Sequence, residues 1–165
     1  MTIEYIPTSG FIIDSFSFNW SDPRELIREK LNQKHKEDDR VIELAEYFDG
    51  DESQNIHQYR DIYENYKAAE NYFFLSYDEN GLLSEVEIHW GISIKVYDQI
   101  LIFDTPIQIF LDNLSLYDDT VHETEEGNYL LPKLKMSIAT SEAMGGNGDG
   151  LSYFYAGKNI DHLIE

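Results

Sequence analysis

The sequence predicts an α+β fold, a mostly antiparallel sheet built from two tandem strand–helix–hairpin units with the helices covering one face. Two segments carry that expectation. "FSFNWSDPRELIREKL" (Phe16 to Leu31) and "ILIFDTPIQIFLDNL" (Ile100 to Leu114) each run from strand-like residues through a polar residue and a Pro into an apolar-periodic stretch. The spacing from Pro23 to Leu31 equals that from Pro106 to Leu114. Each segment is followed by a candidate hairpin, so the chain reads as one domain over residues 1–165. An internal duplication would place its first unit at about 10–91 and its second at about 92–157, with one gap at Trp20.

The elements follow in order. Asp22 is the expected N-cap of the first helix, with Pro23 at N1 and Glu25 at N3 completing a capping box; Thr105, Pro106 and Gln108 take the same roles in the second. The first half then carries an insertion from His35 to Asn71. Within it, "DRVIELAEYF" places Val41, Leu44, Ala45 and Phe48 on one helical face. "IHQYRDIYENYKAAENY" suits a helix or a strand. Two strands, Tyr72–Tyr77 and Leu82–Trp90, are joined by the turn Asp78-Glu79-Asn80-Gly81. "YLLPKLKMSIATS" and "LSYFYAG" form the equivalent pair, connected through Gly145–Gly150. Core candidates are Phe73, Leu75, Val86, Ile88, Phe16, Phe18, Ile100 and Ile102.

Charge bounds the function more tightly than any motif. The 165 residues hold 12 Lys plus Arg against 32 Asp plus Glu, a net charge of −20. From Val96 to Pro132 there is no Lys or Arg. Such a surface repels nucleic acid and anionic membranes and attracts a basic protein or cations. With no Cys there is no disulfide framework and no thiolate site, and neither a signal peptide nor a membrane span is legible, so a cytoplasmic protein is expected.

Motifs for chemistry are sparse. "GGNGDG" lacks the Lys-Ser/Thr of a phosphate-binding loop and the ligand spacing of an EF-hand, and reads as a hairpin tip. In "SEVEIHWG", alternation sets Glu85, Glu87 and His89 on one strand face opposite Val86, Ile88 and Trp90. That trio could hold a divalent metal or do acid–base work, but it is first the pattern of an ordinary half-solvated strand, and it is read as a solvated face. No catalytic residue, cofactor or metal site is assigned. The densest acid, "YDDTVHETEE", supplies Asp118, Asp119, Glu123, Glu125 and Glu126 as candidate partner-binding residues. Asp49, Asp51 and Glu52 form a second acidic loop that folding could bring to the same edge, and Tyr63 is a candidate aromatic anchor.

A cysteine-free, acidic, Tyr- and Phe-rich chain with phrases such as "NYFFLSYDENGLLSEVEIHWG" resembles bacterial immunity proteins that neutralise secreted or contact-dependent toxins. The likeness lies in overall style over Tyr72 to Tyr155 and carries over no functional residue. It implies an acidic binding module that occludes a basic toxin such as a nuclease, with carboxylates occupying a cleft built for phosphates. An enzyme using the Glu85/Glu87/His89 face and a regulatory interaction module are the alternatives.

Overall fold

The computed structural model describes residues 1–164. In chain order its elements are β1 (Thr2–Ile6), β2 (Gly10–Ile13), β3 (Phe16–Asn19), α1 (Arg24–Leu31), β4 (Lys36–Glu37), β5 (Arg40–Ile42), β6 (Ile56–Glu64), β7 (Tyr72–Tyr77) and β8 (Leu83–Trp90). The chain continues through β9 (Ser93–Val96), β10 (Gln99–Leu101), α2 (Ile107–Leu114), β11 (His122–Glu125), β12 (Asn128–Leu131), β13 (Met136–Thr140) and β14 (Leu151–Gly157).

The fold is mostly β rather than α+β. Strands hold 44% of residues against 15% in helices, and they form two sheets instead of one. The smaller sheet has the order β10-β9-β1-β2-β3, and the larger runs β11-β12-β13-β14-β8-β7-β6-β4 with β5 beside β6. Their inner faces share one core: Ile3, Tyr5, Phe11, Ile13, Phe18, Ile94 and Val96 meet Phe73, Leu75, Val86, Ile88, Ile138 and Phe154. Tyr5 ties the sheets further, stacking edge-on against Phe154 at 5.8 Å and donating its hydroxyl to the Leu134 carbonyl at 2.7 Å. A second sheet, not helices, therefore covers the apolar face. Each helix has eight residues, about 12 Å of length, too little to cover a sheet of this width. Both lie instead against the edge strands of the smaller sheet, α1 on β3 and α2 on β10.

The two halves repeat in register. Phe11, Phe18, Pro23, Ile27 and Leu31 map without a gap onto Ile94, Leu101, Pro106, Phe110 and Leu114, so Trp20 is not an extra residue. The β2–β3 pairing Phe11↔Phe18 has its counterpart in Ile94↔Leu101. Ser21 N donates to Leu83 O and Leu83 N to Asp22 O; in the second half Asp104 N donates to Leu151 O and Leu151 N to Thr105 O. With Leu83 matched to Leu151, the central pairs Ile88↔Phe154 and Val86↔Ala156 exchange with one another. β1 and β5 have no counterparts; β1 fills the middle of the smaller sheet, and β5 extends β6 off the main strand order of the larger.

Several local expectations change. Neither capping box forms, because Pro23 and Pro106 are themselves the N-caps, with extended ψ of 140° and 124°. Each bridges the larger sheet, Pro23 to Leu82 and Pro106 to Gly150. Asp22 accepts from Asn19 N instead, at 2.8 Å. "DRVIELAEYF" is no helix: β5 pairs with β6 as an edge ribbon, a 3-10 turn follows at Ala45–Tyr47, and Val41 and Phe48 are exposed. Residues Ile56–Glu64 settle as strand. Phe16, Ile100 and Ile102 lie on the outside, since Leu101, the true counterpart of Phe18, takes the inward place.

Candidate functional site

Alternation along β8 turns Val86 and Ile88 into the core and Glu85, Glu87 and His89 to the outer face of the larger sheet, as the sequence pattern predicts. Trp90 departs from it. A bulge between Tyr72 and Phe73 resets the register, and Trp90 stacks on Tyr72 at 4.5 Å, half exposed. Glu85 and Glu87 line an open groove of about 610 Å³ with Glu125, Tyr129, Tyr153, Tyr155 and His162. No Lys or Arg lines it among the described residues.

Glu87 is the most perturbed carboxyl there. Burial pushes its pKa up, opposed by the Tyr153 hydroxyl, which donates to Glu87 Oε2 at 2.9 Å, and by the nearby Arg60 charge. His89 moves the other way: burial and then Arg60 push its pKa down, favouring the neutral ring. Its Nε2 stands 3.8 Å from Glu87 Oε2, too far for a hydrogen bond, and is buried without a partner. With a neutral imidazole this contact is not an ion pair. The ring packs against Phe74 at 4.6 Å, Tyr153 at 5.3 Å and Tyr72 at 5.6 Å, and it is not part of the groove wall. Glu87 and His89 therefore do not face a substrate together as an acid–base pair. Among the described residues no three His, Cys, Asp or Glu side chains converge where a metal could sit.

The acidic candidates separate into surface and interior. β11 is the outer edge strand, and Glu123, Glu125 and Glu126 stand exposed along its hairpin with β12. Glu123 holds the turn by accepting from Gly127 N at 2.7 Å. Glu123 and Glu126 border a second hollow, of about 230 Å³, with Glu142 and Asp149. Asp119 is exposed and paired with Lys133.

Asp118 is a correction. It is fully buried, and its carboxylate accepts from Thr120 N, Thr120 Oγ1, Lys133 N and Leu134 N, clasping the segment after α2 to the β12–β13 turn. It cannot touch a partner. Tyr63 is another: it is fully buried and stacked on Phe73 at 5.0 Å, so it anchors the core, not an interface.

Asp49, Asp51 and Glu52 are exposed, and Asp51 caps the short turn Glu52–Gln54 by accepting from Ser53 N. Their loop leads into β6, near the edge opposite β11. At about 4.8 Å per strand the two acidic loops lie a sheet width of roughly 30 Å apart, so folding does not bring them to one edge.

The sequence reading missed one charged cluster. Asp61, fully buried on β6, takes Arg24 Nη2 at 2.6 Å and Arg28 Nη2 at 2.7 Å, with Asp39 and Glu37 on the outer sides of the two guanidiniums. Arg24 and Arg28, one turn apart on α1, were the available signal. Their counterparts on α2 are Ile107 and Leu111, both buried. The cluster fastens α1 to the larger sheet where α2 uses apolar contact.

The "GGNGDG" segment lies in the β13–β14 connection. Gly145 and Gly148 adopt positive φ of 84° and 91°, the conformation glycine tolerates. No protein-family model, curated protein or solved structure matches the chain.

Proposed function

We propose that this protein is an acidic binding module that occludes a basic protein, acting in the manner of an immunity protein against a toxin whose cleft is built for phosphate. It acts by binding and not by catalysis. One observation supports the reading most directly: the groove carboxylates Glu85, Glu87 and Glu125 and the hollow bordered by Glu123, Glu126, Glu142 and Asp149 meet at Tyr129, which lines both. Apart from the Glu123 turn contact, the exposed members of the hairpin do little for the fold. Dense carboxylates on an open concave face suit the guanidinium and ammonium groups of a partner and accelerate encounter with it.

The test begins with the immobilised protein and a lysate of its own source. A retained basic protein is identified, purified and used in stopped-flow association. The variant Asp119→Asn/Glu123→Gln/Glu125→Gln/Glu126→Gln should slow association about tenfold or more with an unchanged melting temperature. Equal association rates for the variant and the parent protein would remove the acidic surface from the mechanism.

A further inference from the structure

We propose that the exposed apolar surface formed by Tyr97, Ile100, Ile102, Ile109, Leu116 and Tyr117 is the docking centre for a protein partner presenting an apolar patch ringed by Lys and Arg. The proposal rests on the acidic-binder reading and names the surface that would hold such a partner.

These side chains are strongly exposed: Ile100 is 54% accessible, Ile102 53%, Ile109 51% and Leu116 80%. Ile100 lies on β10, with Ile102 just beyond it, and Ile109 on α2, two elements in contact; Leu116 and Tyr117 follow α2. Tyr97, in the β9–β10 turn, stacks on Tyr117, just beyond α2, at 4.5 Å, and Tyr117 donates its hydroxyl to Asp98 at 2.5 Å. β10 is an edge strand whose far side is unpaired. Large exposed apolar patches of this kind are uncommon on monomeric surfaces and mark contact sites.

The repeated architecture supplies an internal control. The same positions in the first half hold Asp14 for Tyr97, Ser17 for Ile100, Asn19 for Ile102, Gln33 for Leu116 and Lys34 for Tyr117. Only Leu26, opposite Ile109, stays apolar. One residue runs the other way, Phe16 against Gln99. The same strand, helix and register thus form with polar residues at five of the six positions, so the fold does not demand apolar side chains there. Their presence in one half alone points to a contact that half makes.

Charge selects the occupant. The whole patch falls in the stretch Val96 to Pro132, which has no Lys or Arg and contains Asp98, Asp104 and Asp112; the cation beside it, Lys95, stands opposite Ile100 on β9 and is paired with Glu4 at 3.0 Å. A second copy of the chain would bring acid against acid at net charge −20. A basic rim around an apolar centre is the complementary surface.

Two probes of equal charge test this at low salt, an amphipathic leucine–lysine peptide and an oligolysine, titrated into the labelled full chain by NMR. The leucine–lysine peptide should bind about tenfold tighter, with shifts centred on residues 97–102 and 109–117. The variant Ile100→Ser/Ile102→Asn/Leu116→Gln, which installs the first half's residues without changing charge, should bind both peptides alike and melt at an unchanged temperature. Equal affinities for the parent protein, or shifts centred on Glu85 and Glu87, would overturn the docking centre while leaving the acidic-binder reading standing. Loss of the variant's melting transition would make the apolar residues structural and overturn it as well. A parent dimer that the variant abolishes, read by light scattering, would assign the patch to a second copy instead. If neither peptide binds, the acidic-binder reading fails and this inference fails with it.

Discussion

Glu87 and Tyr155 stand opposite each other on β8 and β14, and matching one half of the chain to the other turns this pair into itself. The approximate symmetry of the molecule thus passes through the floor of the acidic groove. The two positions differ chemically, one a carboxylate and the other a phenol, and Tyr153 and Tyr155 of β14 lie between the carboxylates of β8 and Glu125 of the edge strand β11. Tyr155 is buried there in a small apolar cluster with Leu130 and Ile160, whereas Glu87 is partly buried.

Glu87 is expected to weaken the fold at neutral pH. Its folded-state pKa is raised above the usual 4.5, chiefly by burial, so folding favours the protonated form and stability falls as pH rises through 4.5 to the folded value. Glu87→Gln should therefore be more stable than the parent protein at pH 7, by on the order of 1 kcal/mol, and equal to it at pH 3. Urea titrations at the two pH values would show it.

Asp118→Ala should be strongly destabilising, by about 3 kcal/mol, since one buried and three part-buried donors lose a fully buried acceptor. Asp119→Ala, one residue along and exposed, should leave the melting temperature nearly unchanged. Comparable losses for the two would contradict the clasp.

The Arg24–Asp61–Arg28 cluster leads to a comparison the repeat makes possible. Asp61→Ala alone should cost about 3–5 kcal/mol, because two partly buried guanidiniums lose the fully buried carboxylate they share and keep only Asp39 and Glu37 on their outer sides. Arg24→Ile/Arg28→Leu/Asp61→Tyr, which installs the residues at the matching positions of the second half, should cost less than that single change. The pH sign is opposite to that of Glu87. Burial works against ionisation of Asp61, but the hydrogen bonds from Arg28 and Arg24 outweigh it and hold the carboxyl below the usual 3.8. Its contribution is full above that value and is lost as pH falls through the folded one. Acid unfolding of the triple variant should accordingly begin at lower pH.

Association with a basic partner should slow steeply as salt rises toward physiological strength, where the Debye length is about 8 Å. Dissociation, which depends on the desolvated centre of the contact, should change little. Stopped-flow measurement across a salt series separates the two rates.

Local chemistry was legible in the sequence and partner choice was not. The β7–β8 hairpin could be read because its turn is self-contained: Asp78 Oδ1 accepts from Asn80 N and Leu82 N, and Gly81 takes a φ of 72°. The second sheet was hidden because Phe11 and Ile13, or Ile94 and Val96, alternate identically whether they join one sheet or face another. Asp118 was misread because a buried aspartate among surface acids looks like one of them; its partners, the amides of Lys133 and Leu134, lie beyond the next hairpin. For the site, the Glu85/Glu87/His89 face followed from alternation alone, whereas the groove around it depends on Tyr153 and Tyr155 from a strand far along the chain.

Both sheets are stitched across the repeat, β1 to β9 in the smaller and β8 to β14 in the larger. Neither half is a finished object. A chain cut between Trp90 and Ser93 would yield two fragments, each exposing raw strand edges prone to aggregation when alone. Mixed together, the fragments should reassemble into the intact architecture, each acting as the other's template. The molecule is in this sense a dimer written as one polypeptide, with Gly91 and Ile92 as its tether, and the tether keeps the two components at a high effective concentration.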